Sequence, residues 1–104
     1  MQVLQTKAEF DQALAANPGK LIVVDFFATW CGPCIHIAPV LESLSKKYPS
    51  VLFFKVDVDK NTETSEECDI SCMPTFKYYK NGKEVDSLEG ADEKTLESKI
   101  VSNQ

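Results

Sequence analysis

The feature that most constrains the fold is the segment LIVVDFFA at residues 21–28, an apolar run that a single aspartate, Asp25, interrupts. A strand with one solvent-exposed face alternates between apolar and polar residues, whereas a strand covered on both faces has a continuous apolar sequence. The segment therefore predicts a central strand of a sheet that carries helices on both sides. The motif WCGPC at residues 30–34 follows this strand almost at once, so two cysteines are expected near its carboxyl end.

The rest of the chain supplies the other layers of such a fold. Hydrophobic spacing and turn residues predict these elements: a helix at 7–17 with Thr6 and Glu9 as a capping box, a helix at 34–48 kinked by Pro39, a buried strand at 51–59, a short helix at 62–68, a hairpin of 75–80 and 83–89 around Asn81-Gly82, and a helix from about Asp92. This order predicts an α/β fold with a central mixed β-sheet of four to five strands, flanked by four helices on both faces. We expect one domain over residues 1–104.

Charge and hydropathy exclude several classes of partner. The net charge is −5 and every basic residue is a lysine, so the chain offers neither a basic patch nor an arginine fork for nucleic acid or anionic membranes. No apolar stretch approaches the roughly 20 residues that span a bilayer. The opening segment MQVLQTKAEF lacks the layout of a signal peptide, so we expect a cytoplasmic protein. Thiols stay reduced there, which favours redox-active or metal-binding roles for the four cysteines.

Cys31 and Cys34 have the spacing of a redox-active pair. Side chains at positions i and i+3 lie on one face of a helical turn, and a small movement can join them in a disulfide. Because Cys31 stands where strand gives way to helix, free backbone N–H groups and the helix dipole favour its thiolate, and we predict that it is the nucleophile. Cys34 is predicted to be more buried, to stay protonated and to resolve a mixed disulfide. Pro33 suits the first helical turn, and Gly32 leaves room for a partner chain.

Asp25 is a candidate proton acceptor. Burial of a carboxylate raises its pKa towards values useful for proton transfer. Since Asp25 lies in the strand that leads to the dithiol, it could take the proton of Cys34 directly or through a water molecule. The alternative is a structural carboxylate paired with Lys55 of the next strand, and the two roles can coexist.

Several segments together resemble the thioredoxin family: FFATWCGPC at 26–34, the proline at position 39, KVDVD at 55–59, Met73-Pro74-Thr75 and NGKEV at 81–85. The resemblance covers essentially the whole chain in order. It implies the thioredoxin fold, general protein-disulfide reductase activity and a contribution to cell redox homeostasis and electron transport. It also implies that the chain binds no cofactor and is recharged by thioredoxin reductase, a flavoprotein that draws on NADPH.

The resemblance also assigns roles by position. It implies that Cys31 is the nucleophile, that Cys34 is the resolving thiol and that Asp25 is the buried base. It makes Pro74 a cis-proline that faces the dithiol and turns the backbone of Met73 towards substrate. The substrate-binding surface it implies consists of Trp30, Gly32, Pro33, Met73, Pro74 and Gly90. The clients it implies are proteins with exposed disulfides, such as peroxiredoxins, ribonucleotide reductase and methionine sulfoxide reductase.

Two features depart from common patterns of the family. Many members carry a lysine directly after the second cysteine, whereas this chain has Ile35 and then His36, so the contact surface is expected to be more apolar. Cys68 and Cys72 are extra cysteines of the kind that animal cytosolic thioredoxins carry. They are either plain thiols or regulatory ones, and Cys72 is expected to be the more exposed. We expect a monomer, with a Cys72-linked dimer as the alternative.

Three rival functions remain open on the sequence. A structural zinc module would use Cys31, Cys34, Cys68 and Cys72 as ligands, although 33 residues separate the two pairs and the second pair has an unusual spacing. An oxidase or isomerase of the same fold is a second rival, disfavoured by the Gly-Pro dipeptide between the cysteines. A non-catalytic adaptor that borrows the fold for binding is the third.

Overall fold

The computed structural model describes residues 1–104. Its elements, in chain order, are β1 (Gln2–Val3), α1 (Lys7–Ala15), β2 (Leu21–Phe27), α2 (Gly32–Lys47), β3 (Leu52–Asp57), α3 (Thr62–Glu67), β4 (Thr75–Lys80), β5 (Lys83–Glu89) and α4 (Glu93–Asn103). The predicted elements are all present, and only the two-residue strand β1 was not foreseen. No helix combines the length and the apolar character that a membrane crossing needs.

The five strands form one mixed sheet in the order β1-β3-β2-β4-β5. The strands β1 and β2 both run parallel to β3, while β4 runs antiparallel to β2 and β5 antiparallel to β4. The central position of β2 explains its composition, because a strand flanked on both edges and covered on both faces buries its side chains, and only the last residue of β2, Phe27, is partly exposed. The predicted mixed sheet with four helices is confirmed.

Two hydrophobic clusters cover the two faces of the sheet. On one face, Leu21 and Val23 of β2 pack with buried side chains of α2 and α4, and on the other, Ile22 and Val24 pack with buried side chains of α1. Because successive side chains of a strand point to opposite faces, Asp25 shares the face of Val23, beneath α2 and α4. The one charged side chain of this strand is therefore placed against an apolar layer.

The first helix is shorter than predicted, and its cap differs in one contact. It ends at Ala15, and Ala16 is its C-cap, whereas the sequence pattern extended it to residue 17. The Thr6 hydroxyl accepts a hydrogen bond from the Glu9 amide at 3.1 Å, as predicted, but the Glu9 carboxylate accepts from the amide of Gln5 rather than that of Thr6. Both contacts still satisfy donors at the start of the chain's first helix.

The second helix begins two residues earlier than predicted, at Gly32, with Cys31 as its N-cap. Pro33 therefore occupies the first turn, where its missing N–H costs no hydrogen bond. Pro39 lies inside the helix, which continues past it to Lys47. This early start matters for the chemistry, because it places the first cysteine directly on the free N–H groups of the helix.

Candidate active site

Cys31 and Cys34 are joined in a disulfide at the amino end of α2, with their Cα atoms 5.3 Å apart. Both residues are 5% exposed, so the prediction that Cys34 is the more deeply buried of the two is wrong for this disulfide form. The pair packs with Ala28 and is covered by Phe27 and Met73, among others. The sulfur atoms therefore lie in a shallow apolar setting rather than in open solvent.

The backbone of the first helical turn faces the Cys31 sulfur. The amide of Cys34 donates a hydrogen bond to Cys31 Sγ over 3.2 Å. On reduction the same N–H would point at a thiolate, and hydrogen bonds to an anionic form lower the pKa of the group that carries it. The helix dipole acts in the same direction, so the arrangement favours Cys31 as the nucleophilic sulfur.

A loop before β4 lies against the disulfide. The Met73–Pro74 peptide bond is cis, as the resemblance implied. The Met73 carbonyl oxygen lies 3.6 Å from Cys31 Sγ, which has no hydrogen to donate while it is in a disulfide. The Gly90 amide donates to the Pro74 carbonyl over 2.8 Å, which ties the end of β5 to this loop. Pro74 itself is buried, and the atom of this loop that lies near the Cys31 sulfur is the Met73 carbonyl oxygen.

An exposed surface surrounds the amino end of α2. Trp30 is 67% exposed and Ile35 is 62% exposed, while Gly32 and Pro33 are also at the surface. Open space lies around the Gly32 Cα, since a Cβ placed there would meet no atom within 4 Å. The exposed Trp30 and Ile35 make this surface apolar, which suits contact with another chain.

One contact of this surface was not foreseen from the sequence. The indole N–H of Trp30 donates to the carboxylate of Asp59 over 2.7 Å. Asp59 follows β3, and the buried Asp57 accepts a hydrogen bond from its amide over 2.9 Å. Asp59 thus holds the exposed indole of Trp30, and the sequence pattern alone does not reveal that these two residues are in contact.

Asp25 is buried and lacks a partner at one oxygen. The residue is 2% exposed, and its Oδ1 atom makes no hydrogen bond. Burial raises the pKa of Asp25 from its ordinary value of 3.8 to about 7, and the positive charge of Lys55 offsets part of that rise. A carboxyl group with this pKa can accept and return a proton near neutral pH, which is the property that a proton acceptor needs.

The alternative in which Asp25 forms an ion pair with Lys55 is not found. The two residues are directly opposite in the parallel pairing of β2 and β3, but no contact within 4.0 Å joins the ammonium to the carboxylate. Lys55 Nζ instead lies 4.5 Å from the centre of the Phe27 ring. Phe27 is the second residue whose contact the sequence did not reveal.

Beside Cys34 lies an open pocket of about 280 Å³. Its walls are mainly apolar, and the side chains of Phe27 and Lys55 line it together with Cys34 and Ile35. The pocket gives solvent a route to the neighbourhood of the resolving sulfur, so a proton that leaves this region has access to water.

The other two cysteines lie apart from the disulfide. The Cys68 thiol is half-buried with its sulfur 3.7 Å from the Tyr79 hydroxyl, and burial raises its pKa. Cys72 is exposed, which confirms that it is the more accessible of the two, and its sulfur lies 3.9 Å from the Thr75 hydroxyl. No three His, Cys, Asp or Glu side chains are grouped to hold a metal ion, so the zinc module is not favoured.

Comparison with known proteins extends over the whole chain. The profile of the thioredoxin family matches residues 1–102. A thioredoxin of Geodia cydonium is 53% identical over 102 residues, which cover 97% of this chain and 96% of the relative. The crystal structure of Fasciola hepatica thioredoxin matches with a TM-score of 0.98 and 49% identity, covering 100% of both chains.

A third match is a solved structure from a study of a yeast peroxiredoxin. It is a structure described as the basis of the thiol resolving mechanism in yeast mitochondrial 1-Cys peroxiredoxin via glutathione/thioredoxin systems. Its TM-score is 0.93 at 36% identity, with 98% of this chain and 94% of that chain covered. The family profile and the relatives agree, and the Cys31–Cys34 pair lies at the start of α2. The chain belongs to the thioredoxin family and is a dithiol-disulfide oxidoreductase.

Proposed function

We propose that this chain is a general protein-disulfide reductase that contributes to cell redox homeostasis. The observation that carries the proposal is the Cys31–Cys34 disulfide on the open end of α2, with a backbone amide on the Cys31 sulfur. Once reduced, the Cys31 sulfur in this position is a good attacking thiolate, and the Cys34 sulfur is close enough to form a bond with it. The exposed apolar surface around it accepts disulfides of other proteins.

The reaction proceeds by two exchange steps. The Cys31 thiolate attacks one sulfur of the client disulfide, the client S–S bond breaks, and the first client sulfur leaves as a thiolate. Cys34 then loses its proton and attacks the Cys31 sulfur, which releases the second client thiolate and closes the Cys31–Cys34 disulfide. Two electrons pass to the client, the two client thiolates take up protons, and the dithiol becomes oxidised.

Asp25 takes the proton of Cys34 in the second step. The support is its burial and its pKa of about 7, which leaves a basic carboxylate available near neutral pH. The pocket beside Cys34, which Lys55 also lines, gives water access to the resolving sulfur. The Met73 carbonyl next to Cys31 places an extended client segment across the disulfide by backbone pairing.

The oxidised dithiol is returned to the reduced state by thioredoxin reductase, with NADPH as the electron source, so the chain itself holds no cofactor. The clients are proteins with exposed disulfides, and peroxiredoxins are favoured because a similar structure was solved in work on a peroxiredoxin. Ribonucleotide reductase and methionine sulfoxide reductase are further clients of this class. The site of action is the cytoplasm, where the free thiols of Cys68 and Cys72 would stay reduced.

The test uses the reduced protein and insulin as a model client, with turnover followed as the precipitation of the freed insulin chain. Cys31→Ser abolishes turnover, because it removes the thiolate that opens the client disulfide. Cys34→Ser accumulates a mixed disulfide between Cys31 and insulin, visible by mass spectrometry, because the resolving thiol is absent. The matched control is Cys68→Ser, which removes a half-buried free thiol that contacts Tyr79 and none of the site residues, and leaves turnover unchanged.

Retention of full turnover in Cys31→Ser would reject the proposal. An adaptor function would be indicated if the same variant kept the biological role of the protein in cells. An oxidase function would be indicated if the oxidised protein transferred its disulfide to reduced clients in glutathione buffer faster than the reduced protein cleaved theirs.

A further inference from the structure

Asp25, Phe27 and Lys55 lie on one face of the sheet. Asp25 and Phe27 are two positions apart in β2, so their side chains point to the same side. Lys55 is directly opposite Asp25 in the neighbouring strand β3, and Asp57 is directly opposite Phe27. Lys55 therefore has two possible partners: the Asp25 carboxylate beside it, and the Phe27 ring two residues further along β2.

The ammonium is on the ring. Lys55 Nζ lies 4.5 Å from the Phe27 ring centre, within the range of a cation–π contact. No salt bridge joins Lys55 to a carboxylate, and Asp25 Oδ1 remains without any hydrogen-bond partner. An ion pair with Lys55 would satisfy this oxygen. Because the ion pair is absent, another contact must hold the Lys55 ammonium.

The difference in burial explains why the ring can compete. Phe27 and Lys55 are both half-buried and line the open pocket beside Cys34, so an ammonium on the ring keeps part of its hydration. Asp25 is only 2% exposed, and a contact ion pair with it would strip the ammonium of water. The aromatic face attracts the cation at a position where this loss is smaller.

We propose that Phe27 is a positioning residue that holds the Lys55 ammonium on its ring and so keeps Lys55 from closing a contact ion pair with Asp25. The carboxyl group then feels the lysine charge only at a distance and stays available for a proton. The consequence for catalysis rests on the proposed function, in which Asp25 takes the proton of Cys34. The geometric claim itself concerns the protein alone.

The charged groups that face Asp25 are few. From β3 they are Lys55 and Asp57, and the Asp57 carboxylate is occupied by the amides of residues 59 and 60. From β4 the opposite residue is Phe76, and the buried side chains of α4 are apolar. From α2 the one titratable group that is buried is Cys34. Among these groups, Lys55 is the one whose charge lowers the pKa of Asp25.

The test is the NMR titration of the Asp25 carboxyl carbon in the oxidised protein, where Cys34 does not titrate. Phe27→Leu removes the ring face but keeps an apolar side chain of similar size. The pKa of Asp25 should fall by about half to one pH unit, because the strength of a cation–π contact corresponds to a shift of that size. Phe27→Tyr keeps the ring face and should leave the pKa unchanged.

The lysine provides the decisive control. In a Lys55→Met background, which removes the charge, Phe27→Leu should no longer change the pKa of Asp25. Phe27→Met is a second variant without a ring, and it should reproduce Phe27→Leu if the latter folds poorly. The proposal is overturned if the ring-free variants leave the pKa unchanged or raise it, or if they lower it equally in the Lys55→Met background.

A second readout separates this proposal from the proposed function. In Phe27→Leu, the pH profile of the resolving step, followed as decay of the mixed disulfide with insulin, should shift to lower pH together with the pKa. A shifted pKa with an unshifted profile would support the positioning role of Phe27 and reject Asp25 as the proton acceptor. An unshifted pKa would reject the positioning role whatever the activity.

Discussion

Replacement of Asp25 by asparagine should stabilise the protein at neutral pH and slow the resolving step. The side chain is buried beneath α2 and α4, and the positive charge of Lys55 is not in contact with it. Its ionised form is therefore poorly compensated in the folded state. Asn keeps the shape of the side chain and removes the ionisation, so the variant isolates the cost of the charge.

The magnitude follows from the pKa. Burial raises the pKa of Asp25 from 3.8 to about 7, so the folded state holds the proton at pH values where the unfolded chain has lost it. The free energy of unfolding of the wild type consequently falls as the pH rises from about 4 to about 7. At about 1.36 kcal/mol per pKa unit the full loss is about 4 kcal/mol. Part of this loss falls below pH 4 and part above pH 7, so the advantage of Asp25→Asn should grow by about 3 kcal/mol between these two pH values and level off above about pH 8.

The assay is urea unfolding of the oxidised proteins, followed by circular dichroism at pH 4, 5.5, 7 and 8.5. The oxidised form is used because the Cys31–Cys34 disulfide then stays closed and does not titrate. A difference in unfolding free energy that is the same at all four pH values would refute the reasoning, as would a variant less stable than the wild type at pH 8.5. The resolving step of the variant should also lose the part of its pH dependence that lies near pH 7.

Three further perturbations test other parts of the structure. Tyr78→Phe should lower the free energy of unfolding by about 1 kcal/mol, measured by urea unfolding, because the buried hydroxyl donates to the Leu96 carbonyl and the change leaves that acceptor unpaired. Asp86→Asn should destabilise by less than about 1 kcal/mol at pH 7, since the half-exposed carboxylate accepts from Lys99. This contact lowers the pKa of Asp86, so the difference should vanish as the pH falls through that pKa; a loss that persists in acid would contradict it. Mild oxidation should give a reducible dimer through the exposed Cys72, visible on a non-reducing gel, which Cys72→Ser removes and a substitution of the half-buried free cysteine does not.

The hairpin shows why some elements are predictable from the sequence alone. The strands at 75–80 and 83–89 have the predicted bounds, because the turn between them is encoded locally. Asn81 and Gly82 have φ values of 53° and 78°, the left-handed conformation that these two residue types tolerate best. By contrast, β1 is only two residues long and forms by pairing with β3, so no local pattern reveals it.

Burial within the site was harder to predict. The sequence placed Cys31 at a helix start, but not in a small apolar cluster with Ala28 and Cys34, where it is no more exposed than Cys34. The hydrogen bond from Trp30 to Asp59 joins residues 29 positions apart and likewise depends on how β2 and β3 end side by side. Contacts between distant segments are set by packing, and a single sequence does not encode them in a readable local pattern.

The sequence by itself determined the elements of this protein and the nature of its reactive group. The apolar run of β2, the Asn-Gly turn and the Cys-x-x-Cys spacing act through neighbours in the chain, so they could be interpreted without coordinates. The tertiary structure decided which partner each side chain takes. Lys55 lies opposite Asp25 yet contacts Phe27, because the choice depends on the relative cost of desolvation at two places that only the packed sheet creates.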